Sequence, residues 1–483
     1  MEFNRKAKMM KWIAPLLFMG NVSFISASER LPADKPNIVV IIADDLGWAD
    51  VGYNGATFYE TPHIDKLASQ GMVFNRFYPS AANCAPSRAS LLTGMYSPRH
   101  QVYIPQGLAR GGEVSKMRFK VPTRGQSSLF HTFPVSINTV SPEFESLAEV
   151  LKKRGYISAR LGKWHIGDDN QGFDVLSANG EPGNITNFCG DEDRFYDDIH
   201  VAEKLTDAAV HFIEANQDKP FFLYLSHWEV HTALAARKER IEYYENKLKN
   251  WHDKQFDPVY AAEVEQVDLS VGRIMEKLEA LQLAENTVVL FTSDNGGLSS
   301  VTSNAPLRAG KGTFYEGGIR VPFCIRWPGV TEAGSQTDTP VTGVDFMPSF
   351  AEMAGAELPQ NQPVDGDSFV PLLKGESFDG NRSLFFHFPL YLGGNEETGA
   401  LPSLDGDENY WRAVPLTVIM EGEWKLIYYY EYDRYELFHL KDDISEQHDL
   451  AAMETGVAIR LLEKLQNWTR EVRAPIPSEL NEQ

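Results

Sequence analysis

Residues 37–43, Asn-Ile-Val-Val-Ile-Ile-Ala, form an unbroken apolar run rich in β-branched side chains. A strand with one face in water alternates apolar and polar residues. A strand without alternation needs cover on both faces, which is the situation inside a parallel sheet flanked by helices. The run therefore restricts the chain to a layered α/β architecture. Asp44-Asp45 follow it directly. Ligands of open α/β sheets bind beyond the carboxyl ends of strands, so the acidic pair stands where a site is expected. The bland alternative for such a pair is a turn or a helix cap.

The same grammar recurs. Residues 156–161, 220–226 and 287–293 read as further buried strands, and residues 61–68, 147–154 and 260–281 as helices. This alternation over residues 34–375 predicts an α/β domain with a large mixed, mainly parallel sheet flanked by helices. Residues 376–483 change character. Short strands at 384–388, 416–421, 424–430 and 435–440, then a helix at 455–473, read as a smaller C-terminal α+β subdomain, an antiparallel sheet plus one helix.

The chain begins with basic residues Arg5, Lys6, Lys8 and Lys11, an apolar run from Trp12 to Ile25, and small residues Ser26-Ala27-Ser28. That order over residues 1–28 is a cleaved secretory signal. The run is short and broken by Pro15, Gly20 and Asn21, so no stable membrane anchor is expected. The protein is then exported, to the periplasm or the medium. A net charge of −22 over 483 residues argues against nucleic acid as a partner. The same charge repels an anionic substrate unless the site concentrates positive charge locally. Cys84, Cys189 and Cys324 are the three cysteines, too few for a disulfide scaffold in an exported protein. Cys324, in an apolar stretch, reads as a free thiol.

Cys84-Ala85-Pro86-Ser87-Arg88, with Leu92-Thr93-Gly94 after it, carries the most chemistry. Pro86 suits the first position of a helix. Cys84 then lies at the positive end of the helix dipole, and Arg88 offers a planar fork of donors suited to an oxyanion. A buried, inert thiol ahead of an ordinary helix is the equal alternative. Elsewhere, Asp44, Asp45, Asp294 and Asn295 follow two strands and supply only hard oxygen ligands, which suit Ca²⁺ or Mg²⁺ rather than zinc or copper. Lys163 and His165, in Gly162-Lys163-Trp164-His165, alternate and share one side of extended backbone. Lys311 lies in Gly310-Lys311-Gly312-Thr313-Phe314-Tyr315-Glu316-Gly317-Gly318, whose glycines permit close approach to a ligand. Each segment alone also reads as ordinary loop.

Taken together, these segments resemble the formylglycine-dependent type I sulfatases of the alkaline phosphatase superfamily. The resemblance runs from Asn37 to about Leu450. It implies oxidation of Cys84 to formylglycine by a maturation enzyme, and one Ca²⁺ held by Asp44, Asp45, Cys84, Asp294 and Asn295. It implies sulfate contacts from Arg88, Lys163 and Lys311, with His165 assisting the nucleophile. Glu316 reads as a residue that holds its loop together. The general acid is the least clear match, because Ser226-His227-Trp228-Glu229-Val230-His231 lacks the two prolines usual in the family. The register favours His231 and leaves His227 as a substrate contact.

The implied activity is hydrolysis of sulfate esters of a carbohydrate, a sulfated polysaccharide or its oligosaccharides, with algal glycans among the candidates. The rivals are a phosphodiesterase or phosphonate monoester hydrolase on the same scaffold, and an inactive glycan-binding relative. Residues 101–140 concentrate Arg110, Lys116, Arg118, Lys120 and Arg124 against one acid, Glu113. Arg110, Arg118 and Arg124 are candidate subsite residues for a polyanionic polymer, with a solvated loop as the equal alternative.

Overall fold

Alternate residues of β1 (Asn37–Ala43) feed two separate cores. Ile38, Val40 and Ile42 enter one, Val39, Ile41 and Ala43 the other, and all are buried. Burial of each larger side chain contributes about 1.5–3 kcal/mol, so one short strand anchors both layers. The computed structural model describes residues 35–104, 118–119, 139–167, 170–177, 199–252, 256–394 and 411–477. The leader, Arg110, Lys116, Lys120, Arg124, Cys189 and most of residues 393–411 lie outside the described residues. Among those described, no helix is long and apolar enough to cross a membrane.

The strands after β1 are β2 (Met72–Phe74), β3 (Phe77–Tyr78), β4 (Ile157–Gly162), β5 (Val175–Ser177), β6 (Phe221–Ser226), β7 (Thr287–Ser293), β8 (Phe323–Arg326), β9 (Ser335–Thr337) and β10 (Val341–Thr342). Seven of them join β1 in one eight-stranded sheet in the order β5-β4-β6-β1-β7-β8-β2-β9, in which β8 runs against its neighbours. Helices Pro62–Ser69, Val201–Ala215 and Pro258–Ala280 cover one face. Helices Cys84–Thr93, Leu147–Lys152 and Phe346–Met353 cover the other. The mixed, mainly parallel sheet expected from the apolar runs is present. Cys324 is buried in β8 as a free thiol.

The later strands are β11 (Ser383–Phe388), β12 (Leu392–Gly393), β13 (Trp411–Ala413), β14 (Leu416–Glu421), β15 (Trp424–Tyr429) and β16 (Arg434–His439). β11, β14, β15 and β16 form an antiparallel sheet in that order. Its alternation sorts the two faces. Ile419, Leu426 and Leu437 pack under helix Thr455–Glu471. Phe386, Phe388, Val418 and Ile427 pack against Tyr78, Ala82, Phe314 and Ile319. The second cluster joins the C-terminal sheet to loops that leave the main sheet, within one compact unit.

Gly162 ends β4 with φ +87°, and a Cβ there would lie 1.9 Å from the Ser226 carbonyl oxygen. The next residue donates to that oxygen, Lys163 N–H to Ser226 O at 2.9 Å. Gly162→Ala is expected to destabilise the fold by about 3 kcal/mol through strain and collision. The check is the thermal midpoint, which falls well below that of the parent protein.

Candidate active site

Four adjacent strands, β4, β6, β1 and β7, are mutually parallel, so their carboxyl ends lie side by side. Those ends deliver Lys163, Ser226, Asp44-Asp45 and Asp294-Asn295 to one place. Helix Cys84–Thr93 starts beside them. It begins at Cys84 itself, two residues before the start expected from Pro86. Pro86 is tolerated there because the first-turn N–H groups lack intrahelical partners.

The charges at this edge are paired and buried. Lys163 Nζ contacts Asp44 Oδ2, with both side chains fully buried. Lys311 Nζ lies 2.6 Å from Asp45 Oδ2, and Asn295 Nδ2 donates to Asp45 Oδ1 at 2.8 Å. Arg88 Nε and Nη2 donate to Asp294 Oδ2 at 2.9 and 2.6 Å. Its Nη1 donates to the Lys163 carbonyl at 2.9 Å and to Ser226 Oγ. The sequence reading aimed the Arg88 fork at an oxyanion. In the structure most of its donors bind Asp294, Ser226 and the backbone of Lys163, so it fixes those groups relative to one another. Ser226 was missed by sequence reasoning. Its only signal was its place as the last residue of an apolar strand.

Cys84 Sγ stands 3.2 Å from His165 Nδ1. Burial pushes the thiol up, although Lys163 and Lys311 pull it down. Burial, helped by Lys163 and Arg88, holds His165 well below the usual imidazole range, so it is neutral and able to accept a proton. His165 has φ +66° and Asp45 also φ +66°. The extended backbone expected at residues 163–165 is therefore not what brings Lys163 and His165 to the site. A left-handed residue turns the imidazole toward Cys84. Such conformations cost energy in non-glycine residues and cluster at functional sites.

Asp44 Oδ1 and Asn295 Oδ1 are buried and make no hydrogen bond in the described structure. Burial pushes the Asp44 carboxyl up to about 8 despite Lys163. Asp45 is opposed by burial too, yet Lys311, His231 and Lys163 hold it well below the usual carboxylate range. Oxygen acceptors from Asp44, Asp45 and Asn295, two of them without a proton donor, fit a hard divalent cation. The Asp294 carboxylate lies beside them, its Oδ1 accepting from Asp45 N–H at 3.3 Å.

His231 Nε2 lies 3.7 Å from Asp45 Oδ2, and ligand atoms of Asp44, Asp45 and His231 fall within 4.8 Å of one another. Burial and Lys311 hold His231 well below its ordinary range, against the pull of Asp45. His227, the other histidine of the segment, is fully buried, with Nε2 3.0 Å from Ser270 Oγ on helix Pro258–Ala280. Arg118 is not brought into the cluster. Its N–H binds Glu431 Oε1 at 3.0 Å, and its Nη1 binds the Tyr430 and Glu431 carbonyls at 3.1 and 3.2 Å. Those bonds tie residues 118–119 to the turn after β15. Glu316 behaves as expected of a loop brace: Tyr78 OH donates to its Oε2 at 3.0 Å and Lys425 Nζ to its Oε1 at 3.0 Å.

The family model for sulfatases matches residues 36–356. A sulfatase of Formosa agariphila is 31% identical over 97% of this chain and 95% of its own. Human N-acetylgalactosamine-6-sulfatase is 32% identical over 73% of this chain and 68% of its own. The structure of Ps i-CgsB in complex with k-i-k-neocarrahexaose superposes with a TM-score of 0.71 at 28% identity, covering 91% of this chain and 94% of that one.

Two outcomes follow from the geometry. Added Ca²⁺ is expected to raise the melting temperature of the protein, by about 2.7 kcal/mol of added stability at a hundredfold excess over its dissociation constant. Asp44→Ala abolishes that rise. The two histidines separate by readout. His227→Ala lowers the melting temperature through loss of a buried hydrogen bond, whereas His231→Ala leaves it nearly unchanged and lowers turnover.

Proposed function

The chain belongs to the sulfatase family, and from that membership we propose that this sulfuric ester hydrolase removes sulfate from a sulfated carbohydrate, with Cys84 in the place of the nucleophile. The observation that carries the reading is what surrounds Cys84: His165 at 3.2 Å, and the charges of Lys163, Lys311, Asp44 and Asp294 acting on its thiol, with Asp45 and Asn295 bonded into the same set. Arg88, Lys163 and Lys311 answer the charge problem posed by the sequence, because they gather positive charge in a protein of net charge −22.

Formylglycine at position 84 would supply, as its hydrate, an oxygen nucleophile whose second hydroxyl gives a route for sulfate release. Asp44, Asp45, Asp294 and Asn295 would hold a Ca²⁺, which would supply positive charge to the site. The chain's own residues do the rest. Lys163 and Lys311 are the cations nearest the sulfate. Their ammonium groups reach the site already desolvated, which strengthens their effect on developing charge. His165 accepts a proton at Nδ1 from the group at position 84. Lys311 gives a proton to the leaving oxygen. His231 lines the same side as the alternative donor of that one proton; in its neutral form its ring proton is held at Nδ1 by the Thr232 carbonyl, so it takes this role only when protonated at Nε2 as well. Arg88 keeps Asp294, Ser226 and the Lys163 backbone in fixed relation. The leader at residues 1–28 exports the protein, and a maturation enzyme acts on Cys84 before the fold buries it.

A carbohydrate is favoured because Ps i-CgsB is described with a neocarrahexaose and another relative is an N-acetylgalactosamine-6-sulfatase. The phosphonate monoester hydrolase of Agrobacterium radiobacter shares the fold, with a TM-score of 0.63 at 20% identity, so phosphoryl chemistry is the rival. A panel of sulfated oligosaccharides and matched aryl sulfate and phosphate esters tests both. The expected result is sulfate release from at least one oligosaccharide, with aryl sulfate turned over faster than aryl phosphate. Preference for the phosphate ester, or no sulfate from any member, would contradict the reading. Cys84→Ser is expected to lower sulfate release by at least about a hundredfold, measured on the aryl sulfate.

A further inference from the structure

β15 carries an exception to its own pattern. Lys425, Ile427 and Tyr429 alternate onto the face that packs toward the main body, where an apolar residue is expected in place of a lysine. Lys425 is fully buried between two fully buried carboxylates, 3.0 Å from Glu316 Oε1 and 2.7 Å from Glu446 Oε1. Glu446 Oε2 also accepts the backbone N–H of Glu316 at 2.7 Å. One residue earlier, Tyr315 OH donates to Glu436 Oε2 of β16 at 2.6 Å. The C-terminal sheet therefore grips the end of the loop that carries Lys311.

That loop is closed on itself, Gly317 N–H to Arg308 O at 2.9 Å. It touches both halves of the site: Lys311 N–H binds Gly297 O at 3.0 Å and Gly312 N–H binds Ala82 O at 2.9 Å. Gly297 lies two residues beyond Asn295 and Ala82 two residues before Cys84. A shift at Glu316 is thus carried to Lys311, the metal-side turn and the nucleophile turn together.

We propose that Lys425, with Glu446, is a positioning residue for Lys311: the buried Glu316–Lys425–Glu446 clamp sets where the Lys311 ammonium stands relative to the leaving oxygen. The inference rests on the role given to Lys311 under the proposed function. A buried ion cluster adds little net stability over apolar packing, and its best-attested use is to fix one arrangement among several. Here the arrangement fixed is that of a catalytic loop held from a separate sheet.

The test is a double-mutant cycle on an aryl sulfate and an alkyl sulfate. Lys425→Met is expected to lower kcat about tenfold or more with KM within about twofold, and to lose more on the alkyl ester, whose leaving group needs the proton most. In a Lys311→Ala background the same change is expected to cost less than about twofold. Glu446→Gln keeps the shape and the acceptor for Glu316 N–H while removing one charge, and it runs the same cycle if Lys425→Met does not fold. Equal losses in both backgrounds, or wild-type kcat in a folded Lys425→Met or Glu446→Gln protein, would overturn the proposal. Sulfate release by the parent protein is measured separately, so failure of the clamp and failure of the sulfatase reading give different results.

Discussion

Everything at the strand ends depends on pairing charges that are out of water. Asp44, Asp45 and Asp294 are buried against Lys163, Lys311 and Arg88. A single unpaired charge at such depth is costly, and removing one partner of a buried pair commonly destabilises by about 3–5 kcal/mol. With all three carboxylates ionised, three cations leave the cluster formally neutral, and two neutral histidines do not alter that sum. A divalent cation held by these carboxylates would turn the pocket net positive. An acidic protein can in this way hold an anion without surrendering its surface charge.

The pairing is possible because four parallel strands end together. Each strand contributes one or two residues past its last ladder bond, and no single loop has to supply the set. Rigidity follows from the sheet, whose core residues are buried on both faces. Strain appears where the strands stop, at Asp45 and His165 in left-handed backbone, while Gly162 meets Ser226 closely without it because it has no Cβ. Precision of this kind suits a reaction in which placement and charge do most of the chemistry. The C-terminal sheet extends the same logic, since its buried polar residues meet the main body at the Lys311 loop.

Much of this was legible in the residues, for identifiable reasons. The apolar run at residues 37–43 specified a strand covered twice, and the acidic pair after it fell at the sheet edge where α/β ligands bind. The identity of the cluster came from motif resemblance around Cys84 rather than from spacing. Three things were not legible. The inward turn of His165 depends on a left-handed residue that no propensity announces. The contacts of Arg88 with Asp294 and Ser226 span 206 and 138 residues of sequence, beyond the reach of a local reading. His227 and His231 differ by four positions. Only the continuation of β6 along β1, with His227 N–H on Ile42 O at 2.9 Å and Val230 N–H on Asp44 O at 2.8 Å, shows that one enters the core and the other the site.

The account turns on the chemical state of residue 84. Cys84 as a thiol is buried and pushed toward its neutral form, which makes it a poor nucleophile in this pocket. The most direct measurement is the mass of the peptide containing Cys84, taken from preparations of graded sulfatase activity. The account predicts that the fraction carrying the aldehyde rises in proportion to specific activity. Full activity in protein whose Cys84 remains a thiol would contradict it.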